Sequence, residues 1–346
     1  MDIRMTTDHD QRAWDDYVLN HADGLAYHQY AWKIAIAEAY HFDACYLIAE
    51  ENKEICGVLP LIEFKLPFFT RSYISLPYCD VGGPLVDRPD IETALLAEAK
   101  RVAVGNGIES IELRQKGKRT ESAHQDKSPY KVRMVLDLPD SSELLFSNMK
   151  SKLRSQVRKP MRDGLTTRLG GTELITAFYQ VFSENMRDIG SPVHSRKWLE
   201  SVVHHYAENV KVGVAFTSDG QPIAGGIILL HGKTVSCPWA SSLRKFNKLN
   251  PNMLLYWTFL AFAADHGFNM FDFGRSTPGE GTFRFKEQWG ARAENLAWRQ
   301  DGLTGGTSQI FSGTSGIRPV MERVWTRMPL TLCNALGPIL RRHISL

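Results

Sequence analysis

The chain carries the same series of sequence segments twice, and this internal duplication restricts the possible folds more than any other feature. Trp32 and Trp198 stand 166 residues apart, and Gly107 and Gly267 stand 160 apart. Unrelated α/β segments can also look alike, but four pairs in one order favour a tandem duplication. The four pairs are HQYAWKIAIAEAY with HSRKWLESVVHHY, YLIAEENKEICGVLPLIE with GVAFTSDGQPIAGGIILL, YISLPYCDVGG with TVSCPWASSLR, and IETALLAEAKRVAVGNGIESIELR with NMLLYWTFLAFAADHGFNMFDFGR.

Each repeat has the pattern of an α/β unit. Its first segment has the spacing of a helix, and the next two have the composition of strands joined by polar turns. The last segment predicts a helix that ends at a glycine and is followed by a strand. Gly57 in the first repeat matches Gly225 or Gly226 in the second. We therefore predict two α/β domains in tandem, covering residues 1–136 and 137–300.

Polar segments interrupt this pattern. Residues 115–130, QKGKRTESAHQDKSPY, are charged and poor in apolar side chains, so a long surface loop is expected there. The segment TGGTSQIFSGTSG predicts a flexible linker. Residues 301–346 are therefore predicted to be this linker followed by an amphipathic tail.

The composition is that of an ordinary globular protein. The chain has 346 residues, 43% hydrophobic and 23% charged, which is enough for two domains of about 150 residues each. The net charge of +3 is too small to require a nucleic-acid partner, although a local basic patch is compatible with it. The five cysteines show no Cys-x-x-Cys spacing, which favours buried free thiols in a reducing compartment.

Neither the N-terminus nor the apolar runs suggest a membrane-inserted segment. The opening residues, MDIRMTTDHDQRAWDD, are charged and polar and do not resemble a signal peptide. The longest apolar run, residues 253–264, fits a buried helix and is too short to span a bilayer. We expect a cytoplasmic protein, with contact at the inner face of the membrane as an open option.

The two repeats differ in charge where their last helix begins. In the first repeat acidic residues surround Pro89. In the second, Asn250 and Pro251 predict an N-cap and a first helical residue, and the neighbours Lys245 and Lys248 are basic. Free N–H groups and the helix dipole favour an anion at such an end. The sequence predicts an anion-binding helix start there, with an ordinary solvated start as the alternative.

A second basic segment, NMKSKLRSQVRKPMRDGLTTR, precedes the second repeat's core. Lys150, Arg154, Arg158 and Arg162 follow each other at steps of four, which would place them on one side of a helix. Lys159 adds charge, and arginine forks suit phosphate and carboxylate groups. Because the segment offers little acidic neutralisation, we expect a substrate-binding surface, with a solvated charged face as the alternative.

Several catalytic motifs do not occur in the sequence. It contains no Gly-x-Ser-x-Gly, no His-Glu-x-x-His and no Gly-x-x-x-x-Gly-Lys-Ser/Thr. His204 and His205 form an isolated pair that fits a helix surface or core better than a metal site. No metal site is expected.

The quoted motifs, taken together, resemble the Fem-type branch of the GNAT acyltransferase superfamily. The likeness is greatest to FemAB-related proteins of PEP-CTERM/exosortase gene clusters. It extends over nearly the whole chain and is strongest in residues 150–290, where the order and spacing of several motifs carry it. These motifs are KLRSQVRK, NMRDIGSPVHSRKW, PWASS, PNMLLYW and FDFGRSTPGEGTFRFKEQWG.

The resemblance implies two GNAT-like domains, each a mixed sheet flanked by helices, and an enzyme that forms amides. An activated acyl or aminoacyl group would pass to an amine. No bound cofactor is implied, because the donor is a co-substrate: aminoacyl-tRNA, acyl-CoA or another acyl thioester. The implied acceptor is an amine-bearing envelope glycan or peptide precursor, or an exopolysaccharide precursor.

The sequence departs from the CoA-using pattern of this superfamily. Those enzymes place a glycine-containing Arg/Gln-x-x-Gly-x-Gly/Ala motif at the helix start after the central strand. Here the junction is SLRKFNKLNPNM, without glycine. Either the donor is not free acyl-CoA, which we favour, or lysines and arginine replace the glycine loop.

The resemblance also implies roles for residues after the second repeat's last strand. Lys286 matches the lysine of the family's Phe-Lys-x-x-aromatic-Gly motif and would stabilise developing negative charge. Asp272 would orient Lys286 or accept a proton, with a buried acid paired to an arginine as the alternative. We predict FRFKEQWG to be a strand, with Lys286 and Arg284 on one face. The glycines of GRSTPGEG are predicted to form a turn between two strands.

Substrate-binding roles are expected for a wider set of residues. Arg275 would hold a phosphate or carboxylate. Aromatic and amide side chains of the second repeat would line the pocket, with core packing as the alternative. The complete set is Arg275, Arg154, Arg158, Lys159, Trp239, Asn252, Tyr256 and Lys248.

The tail from residue 318 onwards mixes arginines with large apolar side chains, and two prolines divide it into short pieces. Such a segment would lie on a membrane surface or pack on the protein body.

Three functions remain open: a Fem-like N-acyl or aminoacyltransferase, an acyl-CoA-dependent N-acetyltransferase acting on an amino sugar, and a catalytically silent glycan- or peptide-binding protein. The acceptor, the acyl group and the oligomeric state are not determined by the sequence.

Overall fold

A computed structural model describes residues 1–65, 71–117, 130–303 and 318–345. Most of the expected surface loop and of the expected linker lies outside these residues. The strands are β1 Asp2–Met5, β2 Ala44–Glu51, β3 Glu54–Lys65, β4 Arg71–Ile74, β5 Leu85–Val86, β6 Ser110–Lys116, β7 Val132–Asp137, β8 Thr166–Gly170, β9 Val210–Phe216, β10 Pro222–His231, β11 Thr234–Ser242, β12 Met270–Ser276 and β13 Arg292–Gly302. The helices are α1 Gln11–Asn20, α2 Tyr30–Tyr40, α3 Pro89–Gly105, α4 Ser142–Asn148, α5 Ser151–Arg162, α6 Ile175–Asp188, α7 Arg196–Tyr206, α8 Pro251–Asp265, α9 Gly281–Glu287, α10 Arg318–Arg327 and α11 Leu330–Arg341.

The chain divides into two compact units. Unit 1 comprises Met1–Pro129, Asn295–Thr314 and Arg342–Leu346, and unit 2 comprises Tyr130–Glu294 and Ser315–Arg341. The predicted boundary after residue 136 assigned β7 to the first domain. The structure assigns β7 to unit 2, because it pairs antiparallel with β12. A strand pattern predicts that a strand exists but does not identify its partner.

Unit 1 is a mixed sheet in the order β1-β2-β3-β4-β6-β13, with β5 beside β3. Only the β4–β6 pair is parallel among these pairings of described strands. Helix α3 covers one face with apolar residues at steps of four: Ile91, Leu95, Ala99 and Ala103. Cys45, Leu47 and Ala49 of β2 belong to the same apolar cluster as α3. Between them in sequence, Tyr46 stacks on Trp14 of α1 at 4.8 Å between ring centroids.

Unit 2 repeats this arrangement in the order β8-β9-β10-β11-β12-β7. The β11–β12 pair is parallel, and the remaining pairs are antiparallel. A Cβ added to Gly225 would lie 3.0 Å from Phe178 of α6, and one added to Gly226 would lie 3.0 Å from Phe259 of α8. Successive strand residues point to opposite faces, so α6 and α8 cover the two sides of this sheet.

The order of elements confirms the tandem duplication. Helix α2 is followed by β2, β3, β4, α3 and β6, and helix α7 by β9, β10, β11, α8 and β12. Trp32 and Trp198 are both fully buried. A Cβ on Gly57 would lie 2.6 Å from Ile91 of α3, so its structural counterpart is Gly226, which faces the equivalent helix α8. The fold is α/β, with two mixed sheets flanked by helices.

Two further expectations concern the thiols and the membrane. All five cysteines are free and buried, as predicted from their scattered spacing. Among the described residues, no helix has both the length and the apolar character needed to cross a bilayer.

Candidate active site in unit 2

The central feature of unit 2 is the point where two parallel strands part. β11 and β12 are paired only from Thr234 and Met270 to Ser236 and Asp272. Beyond that point β11 continues along β10 to Ser242, and β12 continues along β7. The facing edges of the two strands are therefore not bonded to each other within the described pairings, which leaves backbone groups available to side chains or a ligand.

Lys286 reaches this point from α9. Its side chain is buried, with 8% of the residue exposed. Its Nζ donates to the carbonyl oxygens of Gly274 at 3.1 Å and Arg275 at 2.8 Å. Gly274 has a φ of 72°, a left-handed conformation that favours glycine. The turn therefore aims two carbonyls at one ammonium group and fixes its position.

The expected strand around Lys286 is wrong, because residues Gly281–Glu287 form helix α9. The turn before it joins a strand to a helix rather than two strands. Lys286 is the buried residue of this helix, whereas Arg284 is exposed and donates to the Gly279 carbonyl at 2.8 Å. Four alternating residues are too few to distinguish a strand from a single turn of helix.

Asp272 is buried in an ion pair. Its Oδ2 accepts a hydrogen bond from Arg133 Nε of β7 at 2.7 Å, and its Oδ1 accepts one from the Gly274 backbone at 2.8 Å. Arg133 also contacts Glu294 at 3.1 Å. Both carboxylate oxygens of Asp272 are thus engaged by groups of the protein itself. These contacts favour the alternative of a structural acid paired to an arginine, which shapes the turn that holds Lys286.

Trp239 and Tyr256 both pack in aromatic clusters. Trp239 lies edge to face with Trp198 at 6.1 Å, and Tyr256 stacks on Phe273 at 5.5 Å between ring centroids. Burial raises the pKa of Cys237, beside Tyr256, to about 12. This thiol is therefore protonated at neutral pH and is a poor nucleophile. The packing of the two aromatic residues agrees with the core alternative.

Helix α8 begins at Pro251, as its sequence predicts. Asn250 precedes it with a φ of 54° in the left-handed region and makes no side-chain capping bond, so the expected N-cap hydrogen bond is not formed. The Oδ1 atom of Asn252, at the second helical position, is buried and has no hydrogen-bond partner among residues that the structure describes. A buried acceptor without a donor is unfavourable, so Asn252 is suited to bind a donor group of a ligand.

Helix α5 does not present its cations as one continuous row. Arg154 donates to the carbonyls of Ser147 at 3.0 Å and Met149 at 2.7 Å. Arg158 lies over the Phe146 ring, 4.9 Å from its centroid. Two of the four cations expected in one row, Arg154 and Arg158, therefore contact carbonyls and an aromatic ring in or next to α4 rather than facing solvent alone.

Lys159 links α5 to the start of α8. It pairs with Asp163 and donates to the Lys248 carbonyl at 3.0 Å. Lys248 itself is exposed in the three-residue-per-turn helix Arg244–Leu249 that leads to Asn250. Lys159 and Lys248 belong to two separate basic segments of the sequence. The structure brings these two residues together beside the start of α8.

Arg133 is a residue of the site that the sequence did not predict. It lies in an otherwise apolar strand, β7, and only 2% of it is exposed. A charged residue inside such a strand is a signal for a buried ion pair, but its partner Asp272 is 139 residues away. No group of three or more potential metal ligands is found in the described ranges.

A family model of known proteins matches part of unit 2. Residues 147–287 match a family model described as an acetyltransferase (GNAT) domain. The match begins in α4 and ends at α9, so it contains the parted strands, α8 and Lys286. A search of curated proteins found no match to this chain.

Solved structures share the tandem fold. One described as FemX aligns with 87% of this chain and 97% of its own, at 15% identity and a TM-score of 0.69. A tandem GNAT protein from the clavulanic acid biosynthesis pathway aligns over 88% and 100%, at 10% identity and a TM-score of 0.55. A conserved protein of unknown function from Bacteroides thetaiotaomicron aligns over 86% and 98%, at 8% identity and a TM-score of 0.58. The chain therefore has a tandem GNAT fold, and the domain match over residues 147–287 supports an acyltransferase.

Proposed function

We propose that this chain is a Fem-like N-acyl or aminoacyltransferase that forms an amide on an amine of a cell-envelope or exopolysaccharide precursor. The observation that carries the proposal is the buried ammonium of Lys286, held by two carbonyls where β11 and β12 part. This point lies inside the region that matches a GNAT acetyltransferase domain. The association with PEP-CTERM gene clusters rests on the sequence resemblance alone.

Amide formation here is an acyl transfer. The lone pair of the acceptor amine attacks the acyl carbon, and the carbonyl oxygen becomes an oxyanion. The oxyanion then collapses, the bond to the donor's oxygen or sulfur breaks, and the nitrogen loses a proton to solvent or to the leaving group. A fixed positive charge close to the oxyanion lowers the barrier because it needs no reorganisation during the reaction. We assign this role to Lys286.

Substrate binding is assigned to groups on both sides of this point. Asn252 would accept a hydrogen bond from an N–H or O–H of the donor, since its buried Oδ1 has no partner among the described residues. Arg275, half-buried beside Lys286, would bind a phosphate or carboxylate. The link between Lys159 and Lys248 gives the start of α8 a basic border for an anionic donor.

The other substrate-binding assignments are weaker. Trp239 and Tyr256 would form walls of the pocket through the small fraction of each that remains exposed, 7%. Arg154 and Arg158 would contribute charge at longer range, because their nearest contacts lie within the fold. Asp272 acts as a positioning residue through Gly274 and Arg133 rather than as the proton acceptor.

One observation favours a second candidate function. The matching family model is described as an acetyltransferase domain, which suits an acyl-CoA-dependent N-acetyltransferase acting on an amino sugar. Against it, the segment before α8 contains no glycine and forms the helix Arg244–Leu249. We therefore prefer a donor other than free acyl-CoA, with aminoacyl-tRNA as the first choice.

The proposal is tested by two transfer assays with the full-length protein. Labelled acetyl-CoA with glucosamine, and charged tRNA with envelope precursors, are each incubated with the enzyme, and the amide product is identified by mass spectrometry. Product from charged tRNA supports the leading proposal, and product from acetyl-CoA alone supports the second. Envelope glycans from cells with and without the gene identify the acceptor, and identical glycans together with no product in either assay would refute both.

A further inference from the structure

The two helices of the C-terminal tail, α10 and α11, pack through one side on the rest of unit 2. Trp325 of α10 and Cys333 of α11 are buried, with 8% and 1% exposed. A Cβ added to Gly337 would lie 3.0 Å from Val193. Arg341 Nε donates to the buried His194 Nε2 at 3.1 Å. The tail therefore packs on the protein body, which is one of the two arrangements expected from the sequence.

The remaining apolar side chains of the tail face solvent. On α11 there are four, at positions i, i+4, i+7 and i+8, the spacing of one helical stripe: Leu332, Leu336, Ile339 and Leu340. On α10 they are Val320, Met321 and Val324. Seven of the fifteen exposed large hydrophobic side chains in the described ranges thus lie between residues 318 and 345. We call these seven residues the tail surface.

The tail surface is bordered by positive charge. Residues 318–346 contain five arginines and one glutamate, a net charge of +4, whereas the whole chain carries +3. The rest of the chain is therefore slightly acidic, and the basic excess is concentrated here. Arg323 and Arg327 line an apolar hollow on α10 together with Val320, Val324, Met328 and Pro329.

We infer that the tail surface binds the face of an anionic lipid bilayer. Exposed aliphatic side chains enter the interface between headgroups and acyl chains, and neighbouring arginines bind the anionic headgroups. In this arrangement α10 and α11 lie along the bilayer surface, and neither has the length and apolar character needed to cross it. A protein partner fits less well, because aromatic Trp and Tyr side chains anchor many protein interfaces, whereas the tail's tryptophan is buried and residues 318–346 contain no tyrosine. This inference is independent of the proposed enzymatic function.

The test is co-sedimentation of the full chain with vesicles of phosphatidylcholine alone and with about one third phosphatidylglycerol. We expect binding to the anionic vesicles that weakens with salt. The double variant Leu336→Glu/Ile339→Glu should lower the partition coefficient by about tenfold or more, since it removes two inserted side chains and adds like charge. Arg323→Gln/Arg327→Gln should lower it by about fivefold per arginine on anionic vesicles only.

The matched control is Leu19→Glu/Val104→Glu, which replaces two exposed aliphatic side chains in α1 and α3. It should bind as the unaltered chain does, and thermal melts should show that all three variants are folded. Equal binding of the control and the tail variant would overturn the inference, as would absence of binding by the unaltered chain. It would also be overturned if sedimentation equilibrium showed that Leu336→Glu/Ile339→Glu abolishes a dimer, because a second copy would then cover the tail surface.

Discussion

The Nε of Arg341, in the last turn of α11, donates a hydrogen bond to the Nε2 of His194 at 3.1 Å. Only 1% of His194 is exposed, and its ring lies edge to face with Trp239 at 6.3 Å between centroids. The bond requires a neutral imidazole with its proton on Nδ1. Within unit 2, helix α11 is thus bonded to a histidine that must stay uncharged.

This relationship predicts a pH-dependent stability. Burial, and then the charge of Arg341, lower the pKa of His194 well below its ordinary value of 6.5. The unfolded chain therefore takes up a proton below pH 6.5 that the folded chain does not. The free energy of unfolding should fall by up to about 1.4 kcal/mol per pH unit as the pH drops below 6.5. Chemical denaturation of the full chain at pH 7.5, 6.5 and 5.5 measures this decrease.

His194→Gln is the control, because a glutamine oxygen can accept from Arg341 without titrating. Its unfolding free energy should depend less on pH in this range than that of the unaltered chain. If both proteins lose the same free energy between pH 7.5 and 5.5, His194 is not the group responsible.

Lys286→Met should reduce product formation by about 10²–10³-fold, the usual effect of removing one donor that stabilises an oxyanion. The change also removes a donor from the part-buried carbonyls of Gly274 and Arg275, so it should lower the free energy of unfolding by about 1–3 kcal/mol. Initial rates and denaturation curves measure the two effects. Arg284→Met, an exposed residue of the same helix, serves as control and should retain activity. A Lys286→Met protein with unaltered rates would remove Lys286 from the mechanism.

Asn252→Ala should weaken donor binding but leave stability nearly unchanged or slightly higher. The reason is that its buried Oδ1 has no partner among the described residues, so the substitution removes an unfavourable group. Loss of one hydrogen bond to the donor should raise the donor's apparent KM by about 2–10-fold. Asn247→Ala, an exposed neighbour, is the matched control. A lower melting temperature together with an unchanged KM would show that Asn252 is structural.

Gly226→Ala should destabilise unit 2. The new Cβ would lie 2.8 Å from the carbonyl oxygen of Trp239 and 3.0 Å from the Phe259 ring, and overpacking of this kind costs about 1–3 kcal/mol. Gly281→Ala is the control, because nothing lies within 4 Å of its added Cβ. Thermal melts compare the two, and equal melting temperatures would contradict the close packing of β10 against α8.

Much of the fold follows from local patterns in the sequence. The equivalence of Trp32 and Trp198 and the helix start at Pro251 were predicted correctly, because periodicity and capping residues act over a few positions. The helix around Lys286 was not predicted, since an alternation of aromatic and basic side chains over four residues also fits one turn of helix. The pairing of Arg133 with Asp272 joins residues 139 positions apart, and no local pattern identifies such a partner. Whether Lys286 and the other site residues act in catalysis stays a prediction.

The pairing of β6 with β13, which is distant in sequence, affects how the chain can be synthesised. On one side β6 pairs with β4, and on the other with residues 296–302 of β13. The ribosome must therefore translate about 300 residues before this edge of the sheet in unit 1 is covered, and open edges invite pairing with other chains. A gene cut at residue 136 would not yield two autonomous domains, because the first fragment would lack β13 and the second would lack most of β7.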